Sequence, residues 1–522
     1  MKKILEKRIK ENIDIEVPLS SPPQWVDADF STNVAFRIVK EEKRNVQEVA
    51  DELIRELKKM YEFKDVYFLK PGFINFKISD DFIIEEFLKF SKDIDEYVRR
   101  NVKREKKRVL IECVSANPTG PLHIGHGRGG VIGDGLRGVF KFLGFDVSFE
   151  YYVNDRGKQI ELLGESLKAR YNGGNPPENG YKGDYLIKIA EKLKKEKREI
   201  DNWGEVAVNE ILSIIKEELS IFGMKFDRFF HETELYKNGT VDEILNILNE
   251  KGLIYEKDNA KWFKAKEFGD TEDRVIIKSD GTPTYFLSDI AYHYDKLRRG
   301  YDVLINTWGA DHHGYVKRLE AGIQALTGKK DILKVVLYQL VRVKRKGELV
   351  SMSTREGEFI ELRKVIDEVG KDVARIYLLL KRYSTPLDFD LEEAKKKSMD
   401  NPVYYIQYAH ARISSILRKR KERFGDFNYE FSKEKLKDVV IEKEIEIMKK
   451  LLFLPDLLSF VLDELDPYFI VDYLLSLSSL FHNYYNYERI LENEWRIAFI
   501  EKIKDVIGKL LLILGIKPLE EM

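Results

Sequence analysis

The feature that most limits the possible folds of this sequence is a strand that runs directly into a glycine-rich turn and a helix. The mostly apolar run 109–114 is followed by the segment Ser115 to Arg128, which contains Gly120, Gly125 and Gly127. A helix that begins just after a strand presents unpaired N–H groups and the positive end of its dipole, and both favour phosphate. Glycine lets a ligand approach the backbone closely. The segment therefore predicts a phosphate-binding turn in an α/β domain.

The surrounding pattern predicts three domains, because 522 residues exceed what one hydrophobic core serves. From 106 to 385, predicted strands at 108–115, 146–153, 302–307 and 334–341 alternate with helices, as in a Rossmann-like parallel sheet. Residues 165–280 are rich in charged helix and loop and predict an insertion in this α/β domain. Residues 1–105 predict a small α+β domain, and residues 386–522 an all-α helical bundle.

Composition restricts the partners and the compartment. Lys and Arg (89) nearly balance Asp and Glu (90), so a nucleic acid would have to be bound by local basic patches. The single cysteine, Cys113, excludes an intrachain disulfide and a multi-cysteine zinc site, and it suits the reducing cytoplasm. The most apolar run, 510–516, is about a third of a membrane span. We therefore expect a cytoplasmic protein with no membrane partner.

Two histidines stand at the start of the predicted helix. His123 and His126 are one turn apart on one face, so both imidazoles can face the same triphosphate; alternatively, they only cap a glycine-rich turn. The segment resembles the His-Ile-Gly-His signature of class I aminoacyl-tRNA synthetases. The resemblance implies that His123, Gly125 and His126 hold the ATP phosphates. It also implies that the two histidines stabilise the transition state at the α-phosphate by position and charge.

The segment Ser351 to Arg355 resembles the second class I signature, Lys-Met-Ser-Lys-Ser, in the relaxed Met-Ser-Thr-Arg form often present in arginyl-tRNA synthetases. The resemblance implies that Met352 and Ser353 bind ATP and that Ser353 and Arg355 act in catalysis. Both signature lysines are replaced, by Ser351 and Thr354, which leaves a phosphate-neutralising charge unassigned. The candidates for this charge are Lys344, Arg345, Lys346 and Arg355. The alternative for 344–346 is a solvated hairpin.

Selection of arginine requires carboxylates, because the planar guanidinium is best bound by paired acceptors. Glu112 interrupts an apolar strand, and Tyr285 and Asp289 share one helix face at i and i+4. Their similarity to the arginyl enzymes implies contacts to the substrate from all three. It further implies that the α-amino and carboxylate ends are held by Ser115, Asn117 and His126. Taken singly, Asp289 is equally consistent with a surface or capping residue.

Two further turns follow predicted strands. The segment Tyr152 to Ile160 closely resembles one characteristic of arginyl-tRNA synthetases, and it can also be a simple turn capped by Asn154 or Asp155. The segment 308–314 is similar to the class I turn against adenosine and ribose. This similarity implies ATP contacts from Gly309, Asp311 and His312. The pair His312–His313 also suggests a metal, but the sequence offers no evident third ligand, so we predict no metal site.

Two segments resemble the RNA-binding parts of the arginyl enzymes. Residues 401–413 resemble the start of the anticodon-binding domain, which implies base stacking by Tyr404 and Tyr408 and a phosphate contact from Arg412. The alternative is that at least half of the tyrosines in this region pack in the helix core. Residues 29–36 and 71–76 resemble the additional N-terminal domain that contacts tRNA. This resemblance implies contacts from Asn33 and Phe73.

Together these resemblances span the chain from about residue 29 and identify it as a member of the class I arginyl-tRNA synthetases. They imply activation of L-arginine by ATP with Mg²⁺ as the substrate complex, no tightly bound cofactor, and transfer to the terminal 2′-hydroxyl of tRNA-Arg. They also imply that the first step needs bound tRNA, and we expect the protein to be a monomer. The alternatives are another nucleotidyltransferase of this fold, a class I synthetase for a different amino acid, and a catalytically inactive tRNA-binding paralogue that lacks the signature lysines.

Overall fold

The N-terminal region is a small antiparallel sheet covered by helices. The computed structural model describes residues 1–102, 104–197, 199–350, 360–426, 429, 431–437 and 439–522. The first elements are α1 (Lys2–Ile13), β1 (Phe30–Thr32), α2 (Val34–Glu42), α3 (Val46–Leu57), β2 (Phe63–Leu69), β3 (Phe73–Ile78), α4 (Asp80–Lys92) and α5 (Ile94–Asn101). The strand order is β1-β3-β2, and both strand pairs are antiparallel. Ile74, Phe76 and Ile78 alternate along β3 and are buried, as expected for a sheet with one face on a core.

The middle of the chain alternates strands and helices. Its first half contains β4 (Val109–Glu112), α6 (Ile124–Phe142), β5 (Val147–Val153), α7 (Lys158–Tyr171), α8 (Asp184–Glu196), α9 (Trp203–Ile221), β6 (Arg228–His231), α10 (Glu232–Lys237), α11 (Thr240–Glu250), β7 (Ile254–Lys257), β8 (Ala260–Phe263) and β9 (Arg274–Ile277). Its second half contains α12 (Tyr285–Arg298), β10 (Val303–Gly309), α13 (His313–Thr327), β11 (Leu333–Tyr338), β12 (Val341–Arg345), β13 (Glu348–Leu349), α14 (Leu362–Val369), α15 (Lys371–Leu378), β14 (Leu387–Asp390) and α16 (Leu391–Lys395).

The central sheet has the order β11-β10-β4-β5-β6, and every neighbouring pair is parallel. From β4 the chain proceeds to one side through β5 and β6 and later to the other side through β10 and β11. In such doubly wound sheets a ligand binds at the carboxyl ends of the strands where the order reverses. The predicted fold class is confirmed, and the topology points to the crevice beyond β4 and β10.

One element departs from the sequence expectation. Strand β6 lies inside 165–280, the range predicted to be an insertion, yet it forms an edge of the central sheet. The same range also holds a separate antiparallel sheet of β7, β8 and β9. With four residues, β6 is too short to give a clear alternating pattern. It was therefore recognisable only through its pairing with β5.

The C-terminal region is a helical bundle formed by α17 (Pro402–Phe424), α18 (Lys433–Lys437), α19 (Glu442–Leu452), α20 (Leu454–Glu464), α21 (Tyr468–Tyr487) and α22 (Glu494–Ile513). Helix α17 packs against α21 and α22, and α19 packs against α4 of the N-terminal region. Lys449 of α19 also pairs with Asp29, just before β1 of the N-terminal region, at 2.6 Å. Within the described residues, no helix is both long enough and apolar enough to span a membrane.

Candidate active site

A tight turn beyond β4 forms the centre of the crevice. Val114 and Ser115 both have positive φ angles, 68° and 40°. Non-glycine residues rarely adopt this conformation, which persists only where the surroundings hold it in place. The Ser115 hydroxyl donates to Glu112 Oε1 at 3.0 Å and accepts the N–H of Tyr152 at 3.1 Å. The turn is therefore tied to both β4 and β5.

The two signature histidines form a reciprocal capping box at the N-terminus of α6. The N–H of His126 donates to Nδ1 of His123, and the N–H of His123 donates to Nδ1 of His126, both at 3.3 Å. The rings stack with centroids 3.5 Å apart. Burial lowers the pKa of His123, and burial together with His123 lowers that of His126 well below its ordinary value. Both rings are therefore neutral at neutral pH, and because each Nδ1 accepts, the proton of each lies on Nε2.

The segment before the histidines is held on two sides. The N–H of Leu122 donates to Glu218 Oε2 at 3.0 Å, and its carbonyl accepts the N–H of Leu362 at 2.7 Å. The N–H of Ile124 donates to the carbonyl of Ile360 at 3.2 Å. Burial raises the pKa of Glu218 to about 7. Residues 360–362 therefore lie against the phosphate turn, and Glu218 is a contact that sequence patterns did not indicate.

The second signature falls outside the described residues, since Met352, Ser353 and Arg355 lie within 351–359. The basic run before it forms the hairpin of β12 and β13, the alternative considered from the sequence. Lys344 pairs with Asp388 at 2.7 Å, and Arg345 pairs with Glu368 at 2.8 Å. Two of the four candidate charges are thus compensated within the protein.

Glu112 does not lie open to a ligand. Its Oε2 is 2.6 Å from Lys296 Nζ, and both side chains are buried. Since Ser115 engages the other oxygen, the prediction that Glu112 contacts the guanidinium directly does not fit its surroundings. Lys296 lies 184 residues further along the chain, on α12. The sequence showed a carboxylate in an apolar strand but not its buried partner.

Two other carboxylates, Asp289 and Glu232, lie close enough to interact electrostatically. Asp289 on α12 accepts a hydrogen bond from the Tyr315 hydroxyl. Burial, with repulsion from Glu232 and Glu112, raises the pKa of Asp289 to about 7. Burial also raises the pKa of Glu232, the first residue of α10. Among the described residues, no lysine or arginine forms an ion pair with either carboxylate, so together they offer a site for a cation.

Glu232 was not a predicted site residue. It follows β6, which the sequence did not reveal as part of the central sheet. A signal was nevertheless present, because His231 to Glu234 form a capping box in which the N–H of His231 donates to Glu234 Oε1 at 3.0 Å. A short aromatic strand followed by that box predicts a further strand-to-helix turn, but not that the strand joins the central sheet.

Other predicted substrate contacts lie around this pair. Tyr285 is 55% exposed, and its hydroxyl would be 3.0 Å from a Cβ placed on Gly157, so it lies at the mouth of the crevice. Asn117 is exposed and donates to Gln159 Oε1 at 3.1 Å. Beyond β10, the Asp311 and His312 side chains are exposed, and a Cβ on Gly309 would lie 2.5 Å from Asp311 Oδ1. These residues border the crevice.

The predicted RNA-binding residues form two patches, the first half-buried and the second more exposed. Tyr404, Tyr408 and Arg412 line a cavity of about 420 Å³ together with Tyr485 and His482. The Tyr404 and Tyr408 rings are parallel, with centroids 5.8 Å apart, and Arg412 Nη2 donates to the Tyr485 hydroxyl at 2.7 Å. Tyr484, in contrast, is buried, as the core alternative expected for part of the set.

The second patch is in the N-terminal region, where Asn33 is exposed at the start of α2. Phe73 is 38% exposed and meets Phe36 edge to face, with ring centroids 6.2 Å apart. Within the described part of the chain, no group of three or more His, Cys, Asp or Glu side chains is placed to hold a metal ion.

Comparisons with known proteins agree with this arrangement. Family models match residues 1–78 (arginyl tRNA synthetase N terminal domain), 94–396 (tRNA synthetases class I (R), catalytic domain) and 406–522 (DALR anticodon binding domain). The chain is 41% identical to an arginine–tRNA ligase of Aquifex aeolicus, covering 99% of this chain and 98% of that protein. It is 42% identical to the enzyme of that name from Thermotoga maritima, covering 94% and 92%.

Among solved structures, the arginyl-tRNA synthetase of Thermus thermophilus superposes with a TM-score of 0.79 at 19% identity, covering 100% of both chains, and so shows the same fold. The sequence relatives and the family model of the catalytic domain each extend over more than half of the chain. The chain therefore belongs to the arginyl-tRNA synthetases, the class I family of arginine–tRNA ligases.

Proposed function

We propose that this chain activates L-arginine with ATP and transfers it to tRNA-Arg, and that Glu232 and Asp289 bind the guanidinium. The observation that carries the proposal is a pair of neighbouring, largely buried carboxylates that form no ion pair within the described residues. Two neighbouring carboxylates with raised pKa values are stabilised by a cation between them, and a planar guanidinium presents donors to both. A neutral amino-acid side chain offers no such compensation.

ATP would lie over the start of α6 as its Mg²⁺ complex, since Mg²⁺ is usually held by substrate phosphates. The Nε2–H groups of His123 and His126 donate to the phosphate oxygens, and Gly125 allows close approach of the backbone. The arginine carboxylate attacks the α-phosphate, and the bond to pyrophosphate breaks. The 2′-hydroxyl of the terminal tRNA adenosine then attacks the arginyl carbonyl and releases AMP. The side chains position the reactants and stabilise charge, and none forms a covalent bond.

We further propose that Arg355 supplies the positive charge that the altered second signature lacks. The histidines are neutral, so they contribute donors rather than charge. Lys344 and Arg345 are each paired with a carboxylate, which leaves Arg355 and Lys346 of the four candidates. Arg355→Ala should reduce arginine activation by at least about tenfold, as expected for loss of a charge at a transferring phosphate. Lys344→Ala is the matched control, because Lys344 is already paired with Asp388.

For tRNA we propose two contacts, one at the Tyr404–Tyr408–Arg412 cavity and one at Asn33 and Phe73. The proposed domains are 1–105 for the tRNA-contacting region, 106–385 for catalysis and 386–522 for anticodon binding. Exposed rings that stack on unpaired bases and a nearby arginine are the usual means of binding single-stranded RNA. We also propose that the protein acts as a cytoplasmic monomer, which size-exclusion chromatography with light scattering would test.

One assay separates the proposal from its rivals: aminoacylation of total tRNA with each of the standard amino acids. The proposal requires charging with arginine alone. Charging with a different amino acid would identify another class I synthetase, and no charging with intact tRNA binding would identify an inactive paralogue. Exchange of pyrophosphate into ATP should require added tRNA, and strong exchange without tRNA would contradict that part of the proposal.

A further inference from the structure

The turn that follows β5 contains a carboxylate that the proposed reaction does not use. Asp155 Oδ1 accepts the N–H of Thr233 at 3.0 Å, and Oδ2 accepts the Thr233 hydroxyl at 2.8 Å. Nδ1 of His231 lies 2.9 Å from Oδ2. One carboxylate therefore bonds to the residues immediately before and after Glu232.

The neighbouring residue, Asn154, hydrogen-bonds to Glu232 itself. With its amide oriented so that both polar atoms are satisfied, Asn154 Nδ2 donates to Glu232 Oε2 at 3.1 Å. Strands β5 and β6 are parallel neighbours, and Val153 is in register with His231. The turn beyond β5 and the start of α10 are thus adjacent loops at the same edge of the sheet.

The start of α10 needs such external support. The helix has six residues, Glu232 to Lys237, and a helix this short does not hold its own geometry. Burial would raise the pKa of Asp155, but the bonds from His231 and Thr233 outweigh it and lower that pKa. Asp155 is therefore ionised at neutral pH. Hydrogen bonds to an ionised acceptor are the stronger kind, so the support is firm.

We propose that Asp155 is a positioning residue that sets the Glu232 carboxylate for the guanidinium of arginine. The inference rests on the proposed role of Glu232. Asp155 touches neither substrate nor ATP in this account, and the hydrogen bonds by which it positions Glu232 go to the start of α10. Its removal should therefore change arginine binding while leaving ATP binding and the transfer step nearly intact.

The test compares steady-state kinetics of the full-length enzyme. Asp155→Ala should raise the KM for arginine about tenfold or more, with the KM for ATP changed less than about twofold, because hydrogen bonds to a charged group are lost at the arginine side only. Thr233→Val removes one of these bonds at constant shape and should raise the same KM about threefold, whereas Thr233→Ser keeps the hydroxyl and should not. Asp155 and Thr233 line a groove of about 850 Å³, and Glu165 is an exposed carboxylate on the same groove. Glu165→Gln is therefore the control.

A double-mutant cycle with Glu232→Gln shows whether Asp155 acts through Glu232. Once Glu232 is changed, adding Asp155→Ala should raise the KM for arginine less than about twofold further, because residues that act as a unit are not additive. If the double variant raises the KM for arginine by the product of the two separate increases, the inference is overturned. Asp155→Ala and Thr233→Val leaving this KM unchanged while Glu232→Gln raises it would also overturn it.

If Glu232→Gln alone leaves the KM for arginine unchanged, the proposed role of Glu232 fails, and the inference fails with it. This outcome is distinct from failure of the positioning step, in which Glu232→Gln has its effect and Asp155→Ala has none. If Asp155→Ala does not fold, Asp155→Asn and the Thr233 pair decide the question. All variants are first compared by thermal unfolding.

Discussion

Glu112 on one side, and Glu232 with Asp289 on the other, are neighbouring carboxylates that differ in whether a protein cation pairs with them. Glu112 is buried beside Lys296, with 2.6 Å between charged atoms. Glu232 and Asp289 form no ion pair with a lysine or arginine among the described residues, and burial raises the pKa of each. A carboxylate that already has an internal partner stabilises the fold, whereas one without a partner is available to a charged ligand. We therefore assign Glu112 to the structural support of this site, and Glu232 and Asp289 to its binding surface.

The largest expected effect comes from removing the internal partner. Lys296→Met leaves Glu112 as an unpaired buried charge, which costs about 3–5 kcal/mol of unfolding free energy. Chemical denaturation followed by tryptophan fluorescence measures this. Adding Glu112→Gln to Lys296→Met should recover most of the loss, because the uncompensated charge is then gone. A loss below about 1 kcal/mol for the single variant would mean that Glu112 is not compensated as described.

Removing a binding carboxylate should affect the substrate instead of the fold. Asp289→Asn should raise the KM for arginine about 100-fold, in line with the loss of one partner of a desolvated charged pair, without lowering the unfolding temperature. Aminoacylation kinetics with varied arginine give the number. Glu250→Gln, at an exposed carboxylate on α11, is the control for a change of charge alone. An Asp289→Asn enzyme with a normal KM for arginine would remove Asp289 from the site.

The two groups should also differ in their dependence on pH. The guanidinium binds the ionised form of Asp289, whose pKa is raised to about 7 in the free protein. Below that pH the protonated fraction grows, so kcat/KM for arginine should fall with decreasing pH, by at most about tenfold per unit. The histidines do not share this window, because burial lowers the pKa of both His123 and His126. The profile of Asp289→Asn should lack this limb, and an identical profile in the variant would contradict the assignment.

The smallest effect is expected where an ion pair is exposed. Arg298 Nη1 lies 2.9 Å from Glu243 Oε2, and both side chains are exposed. Solvent screens such a pair, so Arg298→Ala should lower the unfolding free energy by less than about 1 kcal/mol. The same denaturation experiment that tests Lys296 measures it. A loss as large as that of Lys296→Met would show that burial is not what distinguishes the pairs.

Local sequence patterns predicted the phosphate turn, the helix face with Tyr285 and Asp289, and the turns that follow three of the central strands. The strand, glycine turn and helix around His123 and His126 follow from composition over about twenty consecutive residues, and the i and i+4 spacing of Tyr285 and Asp289 follows from helix geometry. The carboxyl ends of β4, β5 and β10 were also recognisable as turns after apolar runs. These features depend on neighbours in the chain.

The features that sequence patterns missed depend on distant contacts. Glu112 could not be separated from a ligand-binding carboxylate without Lys296, which is contributed by α12. Glu232 was missed because β6 has four residues and joins the sheet only through pairing with β5. Such partners are fixed by tertiary packing, which no local pattern reports.

The most direct test of the account is the number of protons released when arginine binds. Calorimetric titration of arginine near pH 7 in buffers of different ionisation enthalpy gives this number. Because Asp289 is about half protonated there and must ionise to hold the guanidinium, the account predicts release of about half a proton or more per arginine. It also predicts a clearly smaller release in Asp289→Asn. Arginine binding without proton release, or with equal release in the variant, would contradict the account.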